Sequence, residues 1–180
     1  PGIVYARSAL DEAIEQSRSV AREFFAANPT RLLMERTVLR NRIGGHDVFF
    51  QDLVRALEES GDIAELRGDA IRWSGHEPQL SEPEQAFREA LSEALKAAPF
   101  TPPSVKAVAQ EEGVSESLAQ SMAHLLEEEG ELVRLADDVS FHREGLDAAR
   151  EKFRAHLESA GSMTASEAKE LIASSRKYII

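Results

Sequence analysis

Residues 57–66, LEESGDIAEL, return at residues 126–135 as LEEEGELVRL, 69 positions further along the chain. Leu57, Glu58, Glu59, Gly61 and Leu66 recur as Leu126, Glu127, Glu128, Gly130 and Leu135, while Asp62/Glu131 and Ile63/Leu132 keep their chemistry. Recurrence at that period means that one supersecondary unit is written more than once. Within each copy an amphipathic run ends on glycine, the residue that closes a helix in the left-handed C' conformation. Beyond the glycine the period becomes that of β-structure: DIAEL, RGD and AIRWS read as strand, turn and strand, and so do ELVRL, ADD and VSFH.

Working back from the first phrase, DVFFQDLVRALEES carries Phe49, Phe50, Leu53, Val54 and Leu57 at helical spacing, and Gly44-Gly45 separates it from MERTVLRNRI, where Met34, Val38, Leu39 and Ile43 predict a shorter helix. Earlier still, Leu10, Ala13, Ile14, Ser17, Ala21, Phe24 and Phe25 share one stripe of a helix with Ser8 as its expected N-cap and Pro29 beyond its end. The second copy repeats the order, with Phe87, Ala90, Leu91 and Leu95 on its first helix, Ser104 and Ser115 capping the next two, and FTPPS extended before them. Three helices and a hairpin form the winged-helix plan, whose third helix is the one available for recognition. A fainter echo pairs VYARSALDEA from Val4 with SFHREGLDAA from Ser140, so a third unit opens with REGLDAAREKFRAHLESAG and continues with SMTASEAKELIA, Thr164 and Glu167 forming a capping box.

The expected fold class is therefore mainly α with small β-hairpin wings (α+β), as tandem winged-helix repeats in an elongated array. Residues 1–7 are expected to hold the last wing strand of a preceding unit, 8–80 and 81–142 two complete winged helices, and 143–180 a third one cut within its third helix. SGHEPQLSEPE, residues 74–84, reads as an inter-domain linker.

Charge narrows the function. With 21 basic and 32 acidic residues the net charge is −11, against a chain that coats nucleic acid along its length. The third helix of the first unit has one arginine and four acids, and that of the second has no lysine or arginine, so neither suits phosphate. Arg31, Arg36, Arg40 and Arg42 gather against a single acid; they suit a phosphate or a solvated face salt-bridged to nearby acids. Residues 143–180 carry seven basic and six acidic residues, whereas residues 1–142 carry fourteen and twenty-six, so the sign changes at the last unit. There Arg176, Lys177 and Tyr178 open the third helix with two cations, free backbone N–H groups and an aromatic face, which suit looped RNA or the ordinary surface charge of a truncated chain end.

Absence of cysteine excludes disulfides and thiolate sites and is compatible with the cytoplasm. No apolar run approaches the roughly 20 residues that span a bilayer. The histidines at 46, 76, 124, 142 and 156 have no ligand spacing, GGHD at 44–47 reads as a turn with Asp47 as N-cap, and no phosphate loop or catalytic grouping occurs, so no enzyme, metal or cofactor is expected of these residues.

FFAANPTRLLMERTVLRNRI (24–43), FTPPSVKAVAQEEGVSESLAQSMAHLLEEEGELVRL (100–135), VSFHREGLDAAREKFRAHLE (139–158) and the terminal SSRKYII (174–180) resemble the C-terminal extension of the bacterial selenocysteine-specific elongation factors. The resemblance implies winged helices carried behind a GTP-binding body, to which GTP and magnesium belong, that delivers selenocysteinyl-tRNA to the ribosome. It implies that the last unit grips the messenger-RNA hairpin that recodes UGA, through a helix beginning at Arg176, Lys177 and Tyr178, and that the acidic units act as a spacer. A cytoplasmic monomer without membrane partners is expected. The family's last unit continues through a full third helix and a wing that do not follow Ile180 here. A winged-helix scaffold for protein contact, in chromosome segregation or a transcription complex, is the competing reading, and a DNA-binding regulator the weakest.

Overall fold

A computed structural model of the chain describes residues 5–174. It is mainly helical with two small antiparallel sheets, and it divides into two compact units, Pro1–Gln79 and Leu80–Ile180. The first runs α1 (Arg7–Ala27), β1 (Leu33–Glu35), α2 (Arg36–Ile43), α3 (Asp47–Glu59), β2 (Ile63–Arg67) and β3 (Ala70–Trp73). The second runs α4 (Glu82–Ala97), α5 (Val105–Glu111), α6 (Glu116–Glu129), β4 (Leu132–Ala136), β5 (Val139–His142), α7 (Arg143–Ala160) and α8 (Ala165–Leu171). No helix among the described residues is long and apolar enough to cross a membrane.

The repeated phrase lies where a helix hands over to a hairpin. Gly61 and Gly130 take φ of +77° and +81°, a conformation that costs an L-residue about 1–2 kcal/mol. The turn lets Asp62 N donate to Leu57 O and Glu131 N to Leu126 O, both at 2.9 Å. From these points the hairpin folds back under the helix it leaves. Leu53, Leu57 and Ile71 are fully buried with Phe50, Val20 and Ala21 in one core, and Leu91, Leu95 and Met122 with Phe87, Ala123 and Leu126 in the other.

An ion-pair lock that periodicity does not disclose ties each junction to its first helix. Arg18 makes a two-pronged contact with Asp62, Nε to Oδ1 at 2.9 Å and Nη2 to Oδ2 at 2.7 Å. This hydrogen bonding holds the Asp62 carboxyl below its usual range, against the opposing pull of burial. At the matched position Glu131 accepts from Ser92 Oγ at 3.1 Å and from Arg88 at 3.3 Å, and Arg88 also reaches Glu129 at 2.6 Å. The signal is present in the sequence as the acid kept at 62 and 131.

Three local expectations are corrected. Met34 is not helical: Leu33–Glu35 pair antiparallel with β3, Met34 facing Ile71, and complete a sheet of order β1-β3-β2. In the second unit Pro102 and Pro103 stand at the matching positions, without N–H groups to donate, and among the described residues the sheet there consists of β4 and β5. The first helix begins earlier than Ser8, with Ala6 as N-cap and no side-chain cap. His46 rather than Asp47 caps α3, its Nδ1 accepting from Val48 N at 3.3 Å, while Asp47 pairs with Arg40. Ser104, Ser115 and the Thr164/Glu167 box cap as expected.

The segment after β3 is held by its own unit. His76 stacks on Phe25 with ring centroids 3.7 Å apart and places Nε2 2.8 Å from Arg31 O, and Gln79 N donates to Pro29 O at 2.7 Å. Leu80 packs on the second core.

Candidate nucleic-acid interface

The arginines around α2 are placed one by one by their neighbours. Arg31 meets Glu35 at 2.8 Å and lies 5.9 Å from the Phe24 ring. Arg42 meets Glu23 at 2.9 Å across to α1. Arg40 pairs with Asp47 and lies 5.2 Å from the Phe50 ring. Arg36 lies over the same ring at 5.9 Å and, with Gln51 and Asp69, lines a groove between α2, α3 and the hairpin turn. Three of the four cations thus face carboxylates, and these exposed pairs are each worth only about 0–1 kcal/mol. The cluster forms a neutralised face more than a phosphate cradle.

The outer face of α3 is acidic, and that of α6 is polar and mostly neutral. α3 exposes Asp47, Gln51, Glu58 and Glu59, and its Arg55 lies 3.5 Å from Asp52. α6 exposes Glu116, Ser117, Gln120 and Ser121. The cations beside it are also engaged, Lys106 with Glu116 at 3.7 Å and Arg134 with Glu127 at 2.6 Å. Phosphate groups approaching α3 meet like charge, and the exposed face of α6 offers them no lysine or arginine of its own. Among the described residues no group of three His, Asp or Glu side chains is placed to hold a metal ion.

Arg176, Lys177 and Tyr178 lie outside the described residues. The chain before them packs against the loop at Pro99 and Phe100. α7 starts directly from β5, and its glycine, Gly145, packs against the loop at Pro99. Lys152 places Nζ 4.8 Å from the Phe100 ring, and Ser174 Oγ donates to Phe100 O at 2.6 Å. α8 is held at its start by the Thr164/Glu167 box, whose backbone and hydroxyl donors keep the Glu167 carboxyl below its usual range.

His142 joins the second hairpin to α7. Its Nδ1 accepts from Glu144 N at 3.2 Å, capping the helix, while the buried Nε2 has no hydrogen-bond partner and stands 3.9 Å from Glu131. Burial, aided by Lys96, pushes its pKa below the ordinary value, and Glu144 and Glu131 pull the other way. Burial prevails because the side chain is only 5% exposed. The unfolded chain therefore takes up a proton that the folded one refuses once the pH falls below about 6.5, so stability present above that pH declines through the window beneath it. We expect the urea midpoint to drop more between about pH 7.5 and 5.5 in the native chain than in His142→Asn, whose amide oxygen keeps the cap without titrating. Equal drops would remove His142 from the account.

No protein-family model matches the chain. Among curated proteins it is similar to the selenocysteine-specific elongation factor of Desulfomicrobium baculatum, with 26% identity over 160 residues that cover 88% of this chain. Those residues are 25% of that factor, so the chain spans about a quarter of its relative's length.

Proposed function

We propose that this chain is a tandem winged-helix segment of a selenocysteine-specific elongation factor, linking a GTP-dependent, tRNA-delivering body to the messenger-RNA hairpin that recodes UGA. The observation that carries the reading is the similarity to such a factor along 88% of the chain. The order helix, helix, helix, hairpin in both compact units agrees with it. In this reading residues 8–80 and 81–142 are complete winged helices, 143–180 begin a third, and residues 1–7 belong to a preceding one. Their acidic third helices keep the first two off phosphate and leave them as a spacer. RNA contact falls to the third, through Arg176, Lys177 and Tyr178. GTP with its magnesium, the ribosome and selenocysteinyl-tRNA are assigned to the factor as a whole.

The test is a salt titration of hairpin binding with a chain extended by roughly 35 residues, half of one repeat. Binding should be far tighter than that of the 180-residue chain, which we expect to bind weakly or not at all. Replacing Arg176 and Lys177 together by alanine should lower the salt slope by roughly 1.5, the share of two phosphate contacts. An unchanged slope, or nanomolar binding by the 180-residue chain, would overturn the assignment.

A further inference from the structure

The groove between α2, α3 and the β2–β3 turn has a counterpart between α5, α6 and the β4–β5 turn, and the repeat of 69 residues sets the two in register. Arg36, Thr37, Asp47, Gln51 and Asp69 line the first; Val105, Lys106, Glu116, Gln120 and Asp138 stand at the matched positions of the second. An acid, a glutamine and a turn aspartate are thus written twice, and what changes is the cation. The first unit fills its groove with its own guanidinium groups. Arg36 lies over the Phe50 ring beside Gln51 and Asp69, and Arg40 pairs with Asp47. In the second unit the places of Arg36 and Arg40 are taken by Val105 and Ala109, and neither brings a charge. A largely polar pocket of about 240 Å³ stands there, far more than a single water needs. The cations at its edge are engaged, Lys106 with Glu116 at 3.7 Å and Arg134 with Glu127 at 2.6 Å. The carboxylates of Asp137 and Asp138 have no hydrogen-bond or ion-pair partner among the described residues. Ser140, in place of Ile71, is only 4% exposed, opens onto the pocket, and has no partner for its hydroxyl among those residues. A buried hydroxyl left unpaired costs folding free energy, so its place in the wall points to an occupant from outside the chain.

We propose that this pocket of the second unit binds an arginine side chain of a partner polypeptide, supplying from outside the guanidinium that the first unit supplies from Arg36. The site adds a protein contact to the spacer role of this unit and is independent of the RNA assignment. A guanidinium carries more N–H donors than an ammonium, and the pocket offers acceptors to match them in the Asp137 and Asp138 carboxylates, the Ser140 hydroxyl and the Gln120 amide oxygen. The unpaired charge is negative, which turns phosphate away. Ala119 stands where the first unit has Phe50, so the pocket has no ring to stack on, and binding rests on charge and hydrogen bonds.

The test is nuclear magnetic resonance of the 180-residue chain, titrated at low ionic strength with the end-blocked tripeptide Ala-Arg-Ala. Amides of residues 105–106, 116–120 and 137–140 should shift, and half-saturation should come at several-fold lower concentration than with Ala-Lys-Ala. Replacing Asp137 and Asp138 together by asparagine, a residue at home in turns, should weaken the arginine peptide several-fold. Val105→Arg restores the cation of the first unit and should block the site; should that change disturb the helical circular dichroism, the aspartate pair decides alone. Amides that stay in place, equal binding of the two peptides, or unchanged affinity in the asparagine pair would each overturn the proposal. So would methylguanidine binding more tightly than the peptide, which would give the pocket to a small free cation, or a uridine oligonucleotide shifting these amides where the peptide does not.

Discussion

Leu57→Ala is expected to lower the stability of the first unit by about 3 kcal/mol, the usual cost of removing a fully buried leucine and leaving a cavity. Leu57 has no exposed surface and stands in the core with Leu53, Ile63 and Ile71, at the point where α3 gives way to the hairpin. The single tryptophan, Trp73, packs on that core, so its fluorescence follows urea unfolding of this unit. Val48→Ala provides the contrast. Its side chain is 42% exposed, and the substitution should change stability by no more than about 0.5 kcal/mol. A Leu57→Ala loss as small as that of Val48→Ala would mean that the repeated phrase is not built around a core position.

Gly145→Val should cost about 2–3 kcal/mol in the second unit, for a different reason. A Cβ at this position would stand 2.7 Å from Pro99 O and 3.2 Å from Pro99 Cα, and backbone atoms cannot swing aside as a side-chain tip does. Alanine is favoured over glycine by about 1 kcal/mol inside a helix and by less in a first turn, where Gly145 stands, so Gly145→Ala should lose less than the valine variant but still lose stability. The check is denaturant unfolding followed by circular dichroism, together with hydrogen exchange over residues 143–152. If Gly145→Ala were stabilising, the close approach of α7 to the Pro99 loop would not exist in solution.

The junction between helix and hairpin is legible in the sequence because its determinants are local. A glycine at a fixed place, a helical stripe before it and alternation after it lie within about fifteen residues, and the repeat supplies them twice. Met34 is not legible in this way. Three residues have no period of their own, and their conformation is decided by pairing with β3, distant in sequence. His46 does not stand out as a cap because aspartate is the commoner acceptor, yet Asp47 is drawn off by Arg40. In the candidate interface the sequence alone balances the α2 arginines between phosphate and carboxylate partners, and carboxylates occupy three of them. Glu23 of α1 and Asp47 of α3 become partners only once the helices are packed. Arg176, Lys177 and Tyr178 stay as the sequence places them, in a proposal to be tested on RNA.

The two hairpins end on the same hydrogen bond, Ser74 N to Asp62 O at 2.8 Å and Arg143 N to Glu131 O at 2.7 Å, yet the chain leaves them differently. After Ser74 it is bound to its own unit as far as Gln79 before Leu80 joins the next core, whereas His142 is at once the last residue of a strand and the cap of α7. An extra residue inserted between Gln79 and Leu80 would separate two sets of contacts and break neither; one inserted between His142 and Arg143 would pull out a cap and shift a helix against Pro99. Length variation among descendants of such a duplicated gene should accordingly gather at the first junction and be purged from the second.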